Sequence, residues 1–243
     1  MYVSAIVLAA GKGLRFSRPD RRGIPRRYVG RNPKIPKPLI KINSKPVIIY
    51  SLNTLSKHPA VKDIIVVVNA LNQKDIVRKI RQYAITKVRQ IVLGGKERQD
   101  SVRNGLKAMD SSTDLVLIHD AVRPFIMKGG ISSVIKEAQN CGAAILGVPV
   151  KATIKSVASC QSSVVSKTLN RENLWEIQTP QVFRKDLILE AYKRFGDREV
   201  TDDAALVEKL GAKVKLVRGS YFNLKITTPE DLVIAEAIVK RLR

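Results

Sequence analysis

Cysteine is almost absent from this chain: Cys141 and Cys160 are the only two, and no C-x-x-C pair occurs. That argues against a disulfide framework and a structural zinc site, and it fits a reducing, cytoplasmic setting. Aromatic residues make up 5% of the sequence, and no aromatic-rich RNA-recognition motif is present. No run is long and apolar enough to span a membrane. The N-terminus lacks the charged start and cleavage pattern of a secretion signal. Acidic residues are few: 21 Asp and Glu stand against 44 Lys and Arg, a net +23. Such an excess suits nucleic acid, anionic membrane surfaces or anionic small substrates. With so few aromatics, a solvated basic surface is a better reading than dedicated nucleic-acid binding.

What the chain does have is apolar content. Its 243 residues are 44% hydrophobic, enough for one sizeable core and a single domain spanning 1–243. The stretch that organises the rest is Val3 to Phe16. Ile6, Val7 and Leu8 follow Val3 as an apolar run suited to a strand buried on both faces. It ends at Ala9-Ala10-Gly11-Lys12-Gly13-Leu14-Arg15. Small residues let the backbone approach a ligand, and Lys12 and Arg15 add positive charge beside exposed N–H groups. The loop is not a P-loop, because Gly13 rather than Ser or Thr follows Lys12. Nor is it a dinucleotide fingerprint, because Phe16 stands where a third small residue belongs. A plain strand-to-helix turn with incidental charge is the competing reading of the loop alone.

Strand and helix then alternate. Short strands are expected at Leu39 to Ile42, Ile64 to Val68, Val88 to Leu93, Leu115 to Ile118 and Ala143 to Val148. Helices are expected from Pro46 to about Lys57, Asp75 to Tyr83, Gln99 to Met109, and near Ile131 to Asn140. This is the α/β pattern of a mostly parallel, Rossmann-like sheet flanked by helices. Right-handed crossovers bring the C-terminal strand ends to one edge, where loops starting at Ala9, Gly94 and His119 converge. Two segments interrupt the pattern. Ser17 to Pro36 is a basic loop holding six Arg and one Lys against one Asp. It reads either as a lid over an anionic ligand or as a solvated segment. From Lys151 to about Leu169 the residues alternate weakly, as in a polar hairpin protruding from the body. Further on, Leu187 to Tyr192 is helical, and Thr201 is placed to cap a helix reaching Leu210, ended by Gly211. Lys213 to Val217 and Asn223 to Ile226 are read as strands. Thr228 caps and Pro229 opens the last helix.

Six motifs in order resemble one family. They are the A-A-G-x-G-x-R loop, Pro36-Lys37-Pro38-Leu39, Gly94 to Ser101 (GGKERQDS), His119 to Pro124 (HDAVRP), Thr179-Pro180-Gln181 and Asn223-Leu224-Lys225. Together they are similar to the 2-C-methyl-D-erythritol 4-phosphate cytidylyltransferases, over nearly all the chain except Ser17 to Pro36. The resemblance implies cytidylyl transfer from CTP to a polyol phosphate with Mg²⁺ or another divalent cation. Arg15 and Lys37 match positions that stabilise the transition state, and Lys225 matches one that holds the attacking phosphate. Ala9, Ala10, Gly11, Gly13, Gly95, Lys96, Ser101, Asp120 and Ala121 fall in the nucleotide-binding set. Arg123, Thr153, Arg171, Thr179 and Thr201 fall in the substrate set with Lys225. Asp120 is the expected metal ligand, since a carboxylate behind a buried strand needs a cationic partner; a turn cap or an ion pair with Arg123 would serve it equally well. The hairpin is implied to be an arm exchanged in a homodimer. Lys96 and Ala152 depart from the pattern, which usually has acidic residues at both. A related branch uses ribitol 5-phosphate, and the acceptor is open between the two at this point.

Overall fold

A computed structural model describes residues 1–11, 35–158 and 164–241. The call of a basic loop from Ser17 to Pro36 therefore lies outside the described residues except for its last two positions, as do Gly13 and Arg15. A seven-stranded sheet forms the centre. Its members are β1 (Val3–Leu8), β4 (Val61–Val68), β5 (Val88–Leu93), β6 (Leu115–Asp120), β7 (Ala143–Pro149), β10 (Trp175–Arg184) and β11 (Lys215–Arg218). They lie in the order β11-β7-β10-β6-β1-β4-β5. β1 is central, paired in parallel with β4 and β6. Only β10 runs antiparallel among these strands, between β6 and β7.

Apolar side chains on both faces of the strands build two cores. On one face Val3, Ala5 and Val7 pack with Ile48, Leu52 and Leu55 of α1 (Val47–Ser56), Ile76 of α2 (Gln73–Gln82) and Val134 of α4 (Lys128–Cys141). On the other, Ile6 packs with Val102 of α3 (Arg98–Lys107), Ile188 of α5 (Lys185–Phe195) and Leu206 of α6 (Ala204–Lys209). Successive β1 residues thus serve opposite layers, as the pleat requires. Gly105 lets α3 lie against β1: a Cβ there would stand 2.6 Å from a methyl of Ile6. A third cluster joins Ile42, Val47 and Phe125 to Leu232 and Ile238 of α7 (Pro229–Arg241).

The structure revises several expected elements. Lys37–Leu39 is a single 3-10 turn, and the strand after it, β2 (Lys41–Ile42), pairs only with β3 (Lys45–Pro46). Between them Asn43 and Ser44 both take positive φ, 48° and 65°, the geometry of a tight hairpin turn. Pro46 is extended and precedes α1 rather than opening it. Thr201 is exposed and caps nothing: α6 starts at Ala204, with Asp203 at its cap position. The capping contact comes from Asp202, whose Oδ1 accepts the Ala205 N–H at 3.2 Å. Asn223 to Ile226 is not a strand. Asn223 instead turns its side-chain amide to Gln178 and to the Thr179 carbonyl, and only Ile226 reaches across, to the Val122 carbonyl. At α7 it is Asp231, three residues beyond Thr228, whose Oδ2 accepts the Thr227 and Thr228 N–H groups.

β10 is the element that the alternation pattern missed. Its residues Gln178 to Phe183 are buried, but Pro180 interrupts the run, and proline argues against a central strand. The register with β7 skips from Gln178 to Gln181, so the ladder is broken where the proline falls. The hairpin is present as β8 (Ile154–Val157) and β9 (Val165–Leu169), a separate two-stranded sheet whose strands are largely exposed.

Candidate active site

The C-terminal ends of β1, β5 and β6, the 3-10 turn at Lys37 and the segment at Lys225 enclose a cavity of about 560 Å³. Nine expected site residues line it: Ala9, Ala10, Gly11, Lys37, Gly95, Lys96, Ser101, Asp120 and Lys225. They come from both ends of the described chain, joined because parallel strands with right-handed crossovers point the same way.

The floor is backbone and small side chains. Ala9 donates its N–H to the Val67 carbonyl, and its own carbonyl accepts from the Asn72 amide at 2.9 Å. Gly94 is set by close packing, since a Cβ there would lie 2.5 Å from that of Ala10. Gly95 is equally confined, with Asp100 2.2 Å from where its Cβ would be. Ser101 is spent on this loop: its Oγ accepts the Gly95 N–H and donates to the Glu97 carbonyl, both at 3.2 Å. It therefore shapes the wall that the Gly95 backbone and the exposed Lys96 present to the cavity.

The charged wall centres on Asp120. Its Oδ2 lies 2.8 Å from Lys225 Nζ and 3.6 Å from Arg123 Nε, and its Oδ1 lies 3.9 Å from Arg98 Nε. Burial works to raise its pKa, but Lys225, Arg98 and Arg123 outweigh it and hold the carboxyl well below the usual range. Lys37 completes the wall, its Nζ donating to the Thr227 carbonyl at 2.7 Å. Arg98 is a wall residue that sequence reasoning quoted within a motif but gave no role. No local pattern gives it one, because its hydrogen-bonded partner lies 105 residues further along the chain. Its guanidinium is also bonded to the fully buried Asp203 at 2.7 Å.

Behind Asp120 lies a neutral relay. His119 is fully buried, and its Nε2 faces the Arg123 carbonyl at 3.1 Å. A carbonyl only accepts, so Nε2 carries the proton and Nδ1 accepts from the Thr179 hydroxyl at 3.0 Å. The same Thr179 oxygen accepts the Asp120 N–H at 3.1 Å. Burial pushes the His119 pKa down to about 4, consistent with a neutral ring that serves as a packed strand end. Thr179 thus positions the Asp120 backbone from below.

Among the described residues no group of three His, Cys, Asp or Glu side chains gathers as for a protein-only metal cage. Two carboxylates line the cavity, Asp120 and Glu97; Glu97 belongs to the capping box of α3, which leaves Asp120 as the carboxylate of the charged wall. That fits Mg²⁺ held by one protein carboxylate together with phosphate oxygens.

A family model described as 2-C-methyl-D-erythritol 4-phosphate cytidylyltransferase matches residues 3–241. The chain belongs to this family. The cytidylyltransferase-named relatives are close over the full length. That of Syntrophus aciditrophicus is 43% identical over 242 residues, covering 98% of this chain and 96% of its own. That of Pelotomaculum thermopropionicum is 42% identical, covering 98% and 94%. The solved 4-diphosphocytidyl-2C-methyl-D-erythritol synthase of Anaerococcus prevotii superposes with a TM-score of 0.81 at 33% identity, covering 98% of this chain and 96% of that one. The Thermus thermophilus cytidylyltransferase structure gives 0.74 at 30% identity, covering 99% and 100%.

Not all the residues carried over from this family meet in the cavity. Ala121 is fully buried and tied to β1 through its N–H to the Leu8 carbonyl. Arg123 lies under the wall, donating to the Asn223 carbonyl at 2.9 Å as well as facing Asp120. Thr153 and Arg171 are exposed at the root of the β8–β9 hairpin, where Arg171 bonds the Lys151 carbonyl. Thr201 is exposed before α6. None of these five lines the cavity.

Proposed function

We propose that this cytidylyltransferase-family chain transfers a cytidylyl group from CTP to 2-C-methyl-D-erythritol 4-phosphate in isoprenoid precursor synthesis. The observation that carries the reading is the single cavity in which Lys37, Lys225 and Asp120 meet the Ala9-Ala10-Gly11 turn. A phosphate oxygen of the acceptor attacks the α-phosphorus of CTP. The new P–O bond forms as the bond to the β-phosphate oxygen breaks, and pyrophosphate leaves with the electron pair. Negative charge grows on the α-phosphate oxygens and the leaving group, so fixed cations lower the barrier. Lys37 is held by a carbonyl and Lys225 by a carboxylate, so both are oriented before substrate arrives. By its match to the family's motif, Arg15 is assigned the role of a further phosphate fork. The Gly95 backbone and Lys96 meet the cytosine end. A bound Mg²⁺ would neutralise triphosphate charge, and Asp120 is the residue that would hold it.

The acceptor side is completed by a second copy of the chain. Thr153 and Arg171 sit away from the cavity on an arm that exposes Val157, Val164 and Val165, so each arm brings them to its partner's site. The single chain forms one nucleotidyltransferase domain working in the cytoplasm, as its cysteine usage suits. The test is pyrophosphate release with CTP, UTP, ATP and GTP, each against methylerythritol 4-phosphate and ribitol 5-phosphate. Turnover with CTP and methylerythritol 4-phosphate is expected. A preference for ribitol 5-phosphate, or silence with CTP, overturns the reading.

A further inference from the structure

Asp203 is a fully buried carboxylate that the reaction above does not use. It accepts the Tyr192 hydroxyl at 2.6 Å and the Arg98 Nη2 at 2.7 Å. Burying a charge is costly without such partners, so its place is secured by what surrounds it. The adjacent residues are bolted to the sheet. Gln181 of β10 donates to Asp202 at 2.7 Å and accepts the Ala204 N–H at 3.3 Å. Gln181 itself pairs with Ile118 of β6 and with Ile145 of β7. Asp203 is thus referenced to the strand that carries Asp120, although 83 positions separate the two in sequence numbering.

Arg98 stands between two carboxylates. It is hydrogen-bonded to Asp203 at 2.7 Å, yet its Nε is 3.9 Å from Asp120 Oδ1. That is beyond a hydrogen bond. An arginine fork gains most by closing on a carboxylate with both arms. Closing on Asp120 would occupy the oxygen that Lys225 and Arg123 leave open, because both of those face Oδ2.

We propose that Asp203 is a positioning residue: it tethers Arg98 and so keeps Asp120 Oδ1 open toward the cavity for the divalent cation that accompanies the nucleotide triphosphate. Arg98 then contributes charge to the wall without closing the carboxylate. The inference rests on the cytidylyl-transfer reading above for the identity of the nucleotide.

The test uses the full-length protein and Asp203→Asn, with Mn²⁺ as the probe. Free Mn²⁺ is followed by electron paramagnetic resonance in the presence of CTP and without acceptor, so no turnover is needed. The variant is expected to bind Mn²⁺ with CTP more weakly by on the order of tenfold, the loss of a charged hydrogen-bond partner. Its crystal structure is expected to show Arg98 within hydrogen-bond distance of Asp120. Adding Arg98→Ala to Asp203→Asn is expected to recover most of the Mn²⁺ affinity, which a general loss of stability would not do. Tyr192→Phe, a milder change, is expected to shift affinity in the same direction by less, and it carries the test if Asp203→Asn does not fold. Arg98 unmoved and Mn²⁺ affinity unchanged in the folded variants overturns the proposal. Absence of CTP-dependent pyrophosphate release by the unaltered enzyme would instead overturn the reaction assigned above, and the position of Arg98 in the variant crystal does not depend on it.

Discussion

The two ends of the sheet hold similar residues to opposite purposes. At the C-terminal end, Lys225 pairs with a carboxylate that borders a cavity. At the N-terminal end, Lys87 donates to the His58 and Val61 carbonyls at 2.8 and 2.7 Å, away from that cavity's lining. Each end also has a buried histidine. His119 lies beneath Asp120, and His58 bonds Ser132 Oγ at 3.0 Å. At one end the ammonium borders a cavity; at the other it satisfies carbonyls that would be left unpaired. Cationic residue type alone therefore does not separate function from structure. The partner of the cation does.

The contrast breaks first on turnover. Lys225→Ala and Lys37→Ala are each expected to lower kcat on the order of 10²–10³-fold, the usual cost of one preorganised charge donor, while urea midpoints stay close to the parent. Each variant also leaves the Thr227 carbonyl or the Asp120 carboxylate short of a donor, so steady-state kinetics is read per folded molecule, and turnover equal to the parent would remove their assigned roles.

Acid comes next. A folded His119 pKa of about 4 against 6.5 for the free side chain means that the unfolded chain binds the extra proton first. Stability is then full above pH 6.5 and declines as pH falls toward 4, by up to about 3 kcal/mol. His58, also shifted down by burial, acts in the same direction. Asp120, held low by its three cations, adds a loss that begins only as pH falls into the ordinary carboxylate range. Urea unfolding from pH 7 to 4.5 is expected to show this slope and a shallower one in His119→Asn; equal slopes would contradict it.

Lys87→Met sharpens the comparison from the other side. It is expected to cost about 1–2 kcal/mol for two carbonyls left without their donor, with turnover per folded molecule unchanged. Calorimetry paired with active-site titration reads both. The smallest effect is expected on the arm. Val164→Ser with Val165→Ser leaves the unfolding free energy of the monomer within about 0.5 kcal/mol but moves sedimentation toward monomer. A mass unaltered from that of the parent, whether dimer or monomer, would dismiss the arm as the contact.

The strands around Val3, Ile64, Leu115 and Ala143 were legible because both of their faces are apolar, whereas Val88–Leu93, at the sheet edge with Arg89 and Gln90 exposed, was legible from Val88 and its apolar end Ile91-Val92-Leu93. The convergence of Gly95, Asp120 and Lys225 followed from strand direction. β10 was not legible, because Pro180 breaks its run and its hydrogen bonds come from partners far away in sequence. Thr201 misled because its neighbours Asp202 and Asp203 are better acceptors in the same turn. Arg98 and Asp203 were hidden for the same reason: their meaning lies in a pairing across 105 residues, and no local pattern encodes it.

Several contacts that aim the wall span a long reach of chain. Lys37 leans on Thr227 across 190 residues, Asp120 on Thr179 across 59, and Arg98 on Asp203 across 105. A ribosome-bound chain that has not yet released residue 227 holds the glycine loops and the inner strands but lacks the carbonyl that orients Lys37. Orientation of Lys37 therefore becomes possible only late in synthesis, after the strands that surround the cavity have been made.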